Sequence, residues 1–295
     1  MKQIILSIVI SLLVSTSVSA ELNVVATLPW IGSVATEIGR NRINIVVLVK
    51  PGQDPHMIEA KPSMILAARK AELFLFNGLD LEIGYLSLIL EGSRNPGIQP
   101  GRAGHFDCSR FVSPIEVPVT ADRSLGDVHP LGNPHYHFSA AEILRVAGGM
   151  AEAMAALDPP GADAFRSNHA RFSAKLRERE KAWHAVPLKG KRFIAYHKMF
   201  EYLARDRGFL ITGYVEPKPG IPPSASHIES LITSMKFKKP EGILMTSYQG
   251  RKEGSFLSGK TGVKLILMPH EVGSQKGTDD WFAFMDRVME ALRQE

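Results

Sequence analysis

A long stretch of sequence without helix-breaking residues, 162–186, divides the chain. It contains neither proline nor glycine, and many of its residues are charged. A helix rises 1.5 Å per residue, so that roughly 25 residues would extend roughly 37 Å, enough to pass from one domain to another. The sequence therefore predicts one long helix between two separately folded parts of the chain.

Short apolar runs alternate with helical segments on both sides of this predicted helix. Before it, strands are predicted at 22–27, 43–49, 73–76 and 115–119, and helices at 31–39, 63–70, 81–90 and 139–157. After it, strands are predicted at 193–196, 209–214, 242–245 and 263–268, and helices at 199–207, 224–236, 252–259 and 279–293. The run 43–49 is apolar at nearly every position, which favours a parallel strand buried on both faces. The alternation predicts an α/β fold class: two doubly wound α/β lobes joined by one long rigid backbone helix.

Residues 1–20 have the pattern of a secretory signal peptide. Lys2 precedes an apolar run at 4–14, and small side chains follow at 18–20. The run is too short to span a membrane, so the pattern predicts export to the periplasm. The predicted organisation is a signal peptide at 1–20, an N-terminal α/β metal-binding lobe at 21–160, the connecting helix at 161–187 and a C-terminal α/β lobe at 188–295.

The cysteine content and the charge exclude several classes of protein. Cys108 is the only cysteine, so the sequence predicts no intrachain disulfide and no lipid attachment beside the signal peptide. The formal net charge is +5, and the basic residues are scattered or alternate with acidic ones. This distribution is typical of solvated helix faces and disfavours nucleic-acid binding.

Histidines beside strand ends and turns are the main candidates for function. His56 and His270 follow predicted strands and His197 ends one, while His135 lies in the segment GNPHYHFS before a predicted helix. In parallel sheets the ligand crevice lies beyond the carboxyl ends of the strands, so these side chains should meet in one cleft. Imidazole binds zinc and other late first-row ions, and four such ligands would make a closed tetrahedral site.

The remaining histidines are interpreted separately. His137 and His129 are candidates for auxiliary ligands, because a short His-x-His sequence can chelate a metal. Four others are expected to have no metal role: His105, His169, His184 and His227.

A zinc-dependent periplasmic hydrolase is the alternative interpretation of the same histidines. It would use three histidines, a metal-bound water and a general base such as Glu271. A His-Glu-x-x-His motif, which would favour that chemistry, does not occur in the sequence. The sequence therefore favours a binding protein that is not an enzyme.

Five motifs together resemble the periplasmic solute-binding proteins of zinc and manganese ABC transporters. They are, in order, Asp54-Pro55-His56 with Lys61-Pro62-Ser63, then GNPHYH, AYHKMFEYLARDRGF, GIPPSASHIESL and MPHEVG. The resemblance covers essentially the whole chain after the predicted signal peptide. It implies two lobes, a backbone helix, an ion held between the lobes and delivery of that ion by a monomer to an inner-membrane permease.

The resemblance also implies a set of ligands. The family's first three ligands fall on His56, His135 and His197, and a histidine at the third position favours Zn²⁺ over Mn²⁺. Cu²⁺ and Ni²⁺ are also compatible with nitrogen ligands. The family's usual fourth ligand is an aspartate, but this chain has His270 followed by Glu271, so His270, Glu271 or water could fill that position, and His270 is favoured.

Two further expectations come from the same comparison with the family pattern. The long His-rich loop of many zinc-binding members is absent, and His129 is its nearest remnant. Three residues are candidates for orienting the imidazoles through hydrogen bonds: Glu216, Tyr248 and Asp280.

Overall fold

The computed structural model describes residues 21–119 and 129–293. The predicted signal peptide, 1–20, and residues 122–128 of the loop that precedes GNPHYH lie outside the described residues. Within the two described ranges, no helix is both long enough and apolar enough to cross a membrane.

The N-terminal lobe is built on a four-stranded parallel sheet. Its strands are β1 (Leu22–Ala26), β2 (Ile43–Val47), β3 (Leu73–Phe76) and β4 (His105–Asp107), in the order β2-β1-β3-β4. The helices between them are α1 (Pro29–Gly39), α2 (Pro62–Lys70) and α3 (Leu86–Ser93). Pro29 and Pro62 occupy the first turns of α1 and α2, where proline costs no hydrogen bond.

Two long helices follow this sheet, α4 (Ala140–Leu157) and α5 (Ala162–His184). Ser139 caps α4, because its hydroxyl accepts a hydrogen bond from the backbone N–H of Glu142. The middle of α5 is tied to α1 by an ion pair of 2.7 Å between Lys175 and Glu37. The segment without helix breakers is therefore one continuous helix, as the sequence predicts.

The C-terminal lobe repeats the parallel arrangement. Its strands are β5 (Arg192–Ala195), β6 (Leu210–Tyr214), β7 (Gly242–Thr246) and β8 (Lys264–Met268), in the order β6-β5-β7-β8. Its helices are α6 (Glu201–Arg207), α7 (Ala225–Lys238), α8 (Arg251–Thr261) and α9 (Trp281–Arg293). Trp183 near the end of α5 donates a hydrogen bond of 2.7 Å to Asp286 of α9. The predicted fold class, two parallel-sheet α/β lobes, is confirmed.

One hydrophobic core extends through both sheets. Buried residues of β3, such as Leu75, and of β7, such as Leu244, belong to the same contiguous cluster. A smaller cluster around Ile194, Met235 and Ile243 fills the outer part of the C-terminal lobe. The shared core fixes the position of one sheet relative to the other, and the candidate site lies between the carboxyl ends of the two sheets.

Three predictions about local structure are wrong. The run 43–49 forms β2, which is an edge strand; Val46 is 43% exposed, so the strand is not buried on both faces. The fourth strand lies at His105–Asp107 and not at 115–119, where Glu116 adopts a φ of 53° that no strand allows. The helix predicted at 81–90 begins only at Leu86, because Leu79 and Asp80 form a turn with positive φ.

Candidate metal-binding site

His56 is fixed by a turn in the loop that follows the second strand. It lies in a short 3₁₀ helix, Pro55–Met57, and Asp54 caps this helix by accepting a hydrogen bond of 3.0 Å from the His56 backbone N–H. The same carboxylate lies 2.8 Å from the ring Nδ1 of His56. Nε2 of His56 is buried and has no hydrogen-bond partner. The turn therefore leaves one ring nitrogen of His56 available to a ligand.

His135 reaches the same place from the loop before α4. Its backbone N–H donates a hydrogen bond of 3.0 Å to Oδ1 of Asn133, and the Asn133 amide in turn donates to the carboxylates of Glu116 and Glu201. The His135 side chain is 1% exposed, and its Nε2 has no hydrogen-bond partner. Asn133 was not a candidate from the sequence; the Asn-Pro pair before His135 indicated only a turn.

His197 comes from the C-terminal lobe, two residues after β5 ends. Its Nδ1 lies 2.8 Å from Oε2 of Glu216, which follows β6. Glu216 was one of three residues expected to orient the imidazoles, and it contacts the ring of His197. Of the other two, Tyr248 packs against His270, and Asp280 accepts a hydrogen bond at the start of α9.

These three histidines converge. One ring nitrogen from each of His56, His135 and His197 lies within 4.8 Å of the other two. The ring centroids are 5.2 Å apart for His56 and His135, 5.2 Å for His56 and His197, and 5.4 Å for His135 and His197. A tetrahedral zinc ion holds its nitrogen ligands at about 2.0–2.1 Å, so a small contraction of this triangle would suit such an ion.

The electrostatic environment keeps His135 neutral. Burial lowers its pKa well below the ordinary imidazole value, and the neighbouring His56 and His197 lower it further. Burial alone would raise the pKa of Asp54, but the hydrogen bond and charge of His56 outweigh burial, and this pKa is lowered. Asp54 is therefore an anion that can support a hydrogen bond from Nδ1 of His56, and neutral imidazole is the form that binds metals.

His129 lies beside the three converging histidines. Its ring centroid is 5.4 Å from that of His56 and 6.5 Å from that of His135. Burial lowers its pKa to about 3, with additional contributions from His56 and His197. The His129 ring thus lies next to two of the three converging imidazoles, but it does not meet the 4.8 Å separation that those three share.

His137 has both a different position and different partners. Its Nε2 lies 3.0 Å from the carbonyl oxygen of His270, and its ring stacks on Trp30. Its backbone carbonyl accepts a hydrogen bond of 2.9 Å from the indole of Trp281. His137 therefore links the N-terminal lobe to the segment before α9 and to the first residue of α9, and its Nε2 already has a partner.

His270 and Glu271 follow β8 but do not join the converging group. The His270 ring packs edge-on against Tyr248, with 4.6 Å between centroids, and burial lowers its pKa to about 4. Burial raises the pKa of Glu271 to about 8, and Oε1 of Glu271 accepts a hydrogen bond from the backbone N–H of Val272. Both residues border a cavity of about 10 Å³ that His135 also lines.

Comparisons with known proteins agree with this fold. Residues 24–295 match the family model described as the zinc-uptake complex component A, periplasmic (ZnuA). The chain is 23% identical over 282 residues to the zinc-binding lipoprotein AdcA of Streptococcus pneumoniae, and this match covers 93% of the chain and 56% of AdcA. It is 23% identical over 288 residues to the iron ABC transporter substrate-binding lipoprotein MtsA of Streptococcus pyogenes, covering 94% of the chain and 91% of MtsA.

A solved structure gives the same result for the fold. The crystal structure of ZnuA superimposes with a TM-score of 0.77 at 23% identity, covering 92% of this chain and 98% of the ZnuA chain. Because the family model spans nearly all of the described residues, the chain belongs to the family of the periplasmic component A of zinc-uptake complexes. It spans little more than half the length of AdcA.

Proposed function

We propose that this protein captures Zn²⁺ between His56, His135 and His197 and delivers the ion to the permease of an ABC transporter. The observation that carries this proposal is the convergence of one ring nitrogen from each of the three histidines to within 4.8 Å. His56 and His135 lie in the N-terminal lobe and His197 in the C-terminal lobe, so an ion bound there would bridge the two lobes.

The unpartnered nitrogens support a metal ligand role. A buried polar atom without a hydrogen bond costs about 1–3 kcal/mol, and native proteins rarely retain one without a reason. Nε2 of His56 and Nε2 of His135 are both buried and unpartnered, and they belong to two of the three rings that converge. A bound cation would satisfy both atoms at once.

The chemistry of the donors supports the choice of ion. Neutral imidazole nitrogen suits Zn²⁺, whereas Mn²⁺ prefers carboxylate and carbonyl oxygen. Cu²⁺ and Ni²⁺ also bind nitrogen well, so the supply of metal decides between them and Zn²⁺ in the cell. The names of the two relatives, zinc-binding for AdcA and iron for MtsA, show that this family includes proteins with different ions.

The transport role is supported by family membership and by the predicted signal peptide. MtsA is named as the substrate-binding lipoprotein of an ABC transporter, and the family model describes a periplasmic component of an uptake complex. The proposed partner of this chain is accordingly an inner-membrane permease, which would receive the ion from a monomer. The lobe boundaries near residues 160 and 187 are part of the same proposal.

The environment of Glu271 disfavours the hydrolase alternative. A general base at neutral pH must be ionised, but burial raises the pKa of Glu271 to about 8. The carboxyl group is therefore mostly protonated at pH 7 and would not accept a proton from a metal-bound water. A non-catalytic binding protein fits these residues better.

Metal titration of chelator-stripped protein tests the proposal. The wild type should bind one Zn²⁺ per chain, and Zn²⁺ should displace Mn²⁺ from the same site. His135→Ala should lose this binding, whereas His184→Ala, a control on the exposed face of α5, should retain it. A wild type that shows no saturable binding of a transition metal would contradict the proposal.

A further inference from the structure

His129 has the surroundings of a fourth metal ligand. We propose that His129, and not His270, completes the coordination of the ion held by His56, His135 and His197. This inference rests on the metal-binding function proposed above, and it replaces the ligand from the C-terminal lobe that the sequence favoured.

The position of the His129 ring is the first argument. Its centroid lies 5.4 Å from that of His56, close to the 5.2 Å that separates His56 from both His135 and His197. The centroids of His129 and His135 are 6.5 Å apart, farther than those of His129 and His56. Ligand nitrogens at about 2.0–2.1 Å from one ion must approach more closely than four unliganded rings do, so all four rings would move inwards on binding.

The hydrogen bonding of the His129 ring is the second argument. The backbone carbonyl of Leu79 accepts a hydrogen bond from this ring, and Nε2 is buried without a partner. The donor is therefore Nδ1, which leaves the lone pair on Nε2 free. Metal-binding histidines typically have one ring nitrogen held by a carbonyl or carboxylate and the other on the metal. His56 shows the same division, with Asp54 on Nδ1 and no partner on Nε2.

The backbone after His129 is tightly anchored, which is the third argument. The carbonyl of His129 accepts a hydrogen bond of 3.1 Å from Gly132, and Asn133 donates one of 2.9 Å to Ile115. Gly132 has a φ of 114°, and a Cβ on it would lie 2.9 Å from the Pro114 side chain, so only glycine fits this turn. One anchored turn thus positions both His129 and His135.

His270 shares one of these features, because both of its ring nitrogens are buried without a hydrogen-bond partner, but its ring lies in a different place. Its ring packs against Tyr248 with 4.6 Å between centroids, whereas the His129 ring lies 5.4 Å from that of His56 and 6.5 Å from that of His135. The carbonyl of His270 accepts a hydrogen bond from Nε2 of His137, and the backbone N–H of His270 donates one to the hydroxyl of Ser274. These contacts hold the His270 segment as part of the packing around the site.

The proposed set has chemical consequences. Four imidazole nitrogens would close a tetrahedral site, leaving no coordination position for water, as in sites that hold zinc and do not catalyse a reaction. Three of the four ligands would come from the N-terminal lobe, and His197 alone from the C-terminal lobe. Withdrawal of His197 or of His129 would then open the site for release.

Cobalt substitution tests this assignment, with Co²⁺ alone as the probe. His129→Ala should still bind one Co²⁺, because the three ring nitrogens that lie within 4.8 Å of one another remain. Loss of a residue that merely orients a ligand weakens metal binding about 10- to 100-fold, so loss of a ligand should weaken it at least that much. The variant should also gain a coordination position, so that added azide shifts its visible spectrum while leaving the wild-type spectrum unchanged.

His270→Ala is the matched control, because it removes the alternative fourth ligand. It should keep the affinity and the spectrum of the wild type, and His129→Gln should repeat the result of His129→Ala with a side chain of similar size. Two results would overturn the assignment of His129 as a ligand and leave the proposed function in place. One is an unchanged Co²⁺ affinity and spectrum in both His129 variants, and the other is a weakened Co²⁺ affinity and an altered spectrum in His270→Ala. A wild type that binds no Co²⁺ would overturn the proposed function as well.

Discussion

Oε2 of Glu216 lies 2.8 Å from Nδ1 of His197, and the two side chains are 17% and 9% exposed. The carboxylate fixes the orientation of the ring and places the hydrogen on Nδ1, so that Nε2 carries the free lone pair. Asp54 holds Nδ1 of His56 at the same distance of 2.8 Å. Two of the three converging imidazoles, one in each lobe, are thus oriented by a carboxylate, an arrangement that raises the basicity of a metal ligand.

Removal of the Glu216 carboxylate should weaken metal binding without abolishing it. Glu216→Ala frees the ring of His197 and removes a negative charge, and such changes typically cost about 10- to 100-fold in metal affinity. Competition with a chromophoric chelator would measure the effect, and Glu216→Gln should recover part of it. Glu229→Ala, at an exposed position on α7, is the matched control and should bind as the wild type does. Equal affinities for Glu216→Ala and this control would contradict the orienting role.

His137 and His135 should respond oppositely to substitution. His137→Ala leaves the buried carbonyl of His270 without its partner, which should lower the free energy of unfolding by about 1–3 kcal/mol, because an unsatisfied buried acceptor carries its desolvation cost. Urea denaturation of the metal-free protein would measure this change, and metal stoichiometry should stay at one ion per chain. His135→Ala should lose metal binding instead. Loss of stoichiometric binding in His137→Ala would show that His137 is a ligand.

The stability of the metal-free protein should fall as the pH rises above neutrality. Burial raises the pKa of Glu271 to about 8 from an ordinary value of 4.5. A carboxyl group whose pKa is raised by folding contributes stability that is complete below the unfolded value and is lost as the pH rises through the folded one. Above about pH 6.5 free histidines are largely neutral, so the carboxyl groups dominate the change.

Glu271→Gln provides the test of this pH dependence. Its free energy of unfolding should vary less than that of the wild type between pH 7 and about 8, the pKa of Glu271. Glu82 and Glu201, whose pKa values burial raises to about 7, should leave a smaller residual slope. Identical pH profiles for Glu271→Gln and the wild type would show that Glu271 is ionised in the folded protein.

Metal affinity should decrease in acid. Protons compete with the metal for imidazole, whose ordinary pKa is about 6.5, so affinity should weaken as the pH falls below this value. Burial lowers the pKa of His135 well below the ordinary value, so this ligand should become protonated only at a lower pH than a free histidine does. Chelator competition at several pH values should therefore show fewer protons displaced than there are histidine ligands. Constant affinity from about pH 7 to about pH 5 would contradict a histidine site.

The histidines that could be located from sequence are those next to regular structure. His56 and His197 follow the ends of parallel strands, and the topology alone places such residues at one edge of a sheet. His135 precedes the cap of α4, a strong local signal in the sequence. The structure brings these three together, and their role as metal ligands stays a prediction.

The choice between His129 and His270 could not be made from sequence. His129 follows a stretch of sequence without a fixed period, and His270 follows the predicted strand 263–268, but the placement of each ring depends on a distant contact. The contact is the carbonyl of Leu79 for His129 and the ring of Tyr248 for His270. The strand β4 was missed for a similar reason. It has three residues and is defined by its pairing with β3, which no local pattern indicates.

Anomalous diffraction at the zinc edge from crystals of zinc-loaded protein is the most direct test of the proposed site. A single strong peak should lie between the rings of His56, His135 and His197, within about 2.0–2.1 Å of one nitrogen of each. A peak at any other place, or no peak in crystals of protein that carries one zinc per chain, would contradict the site.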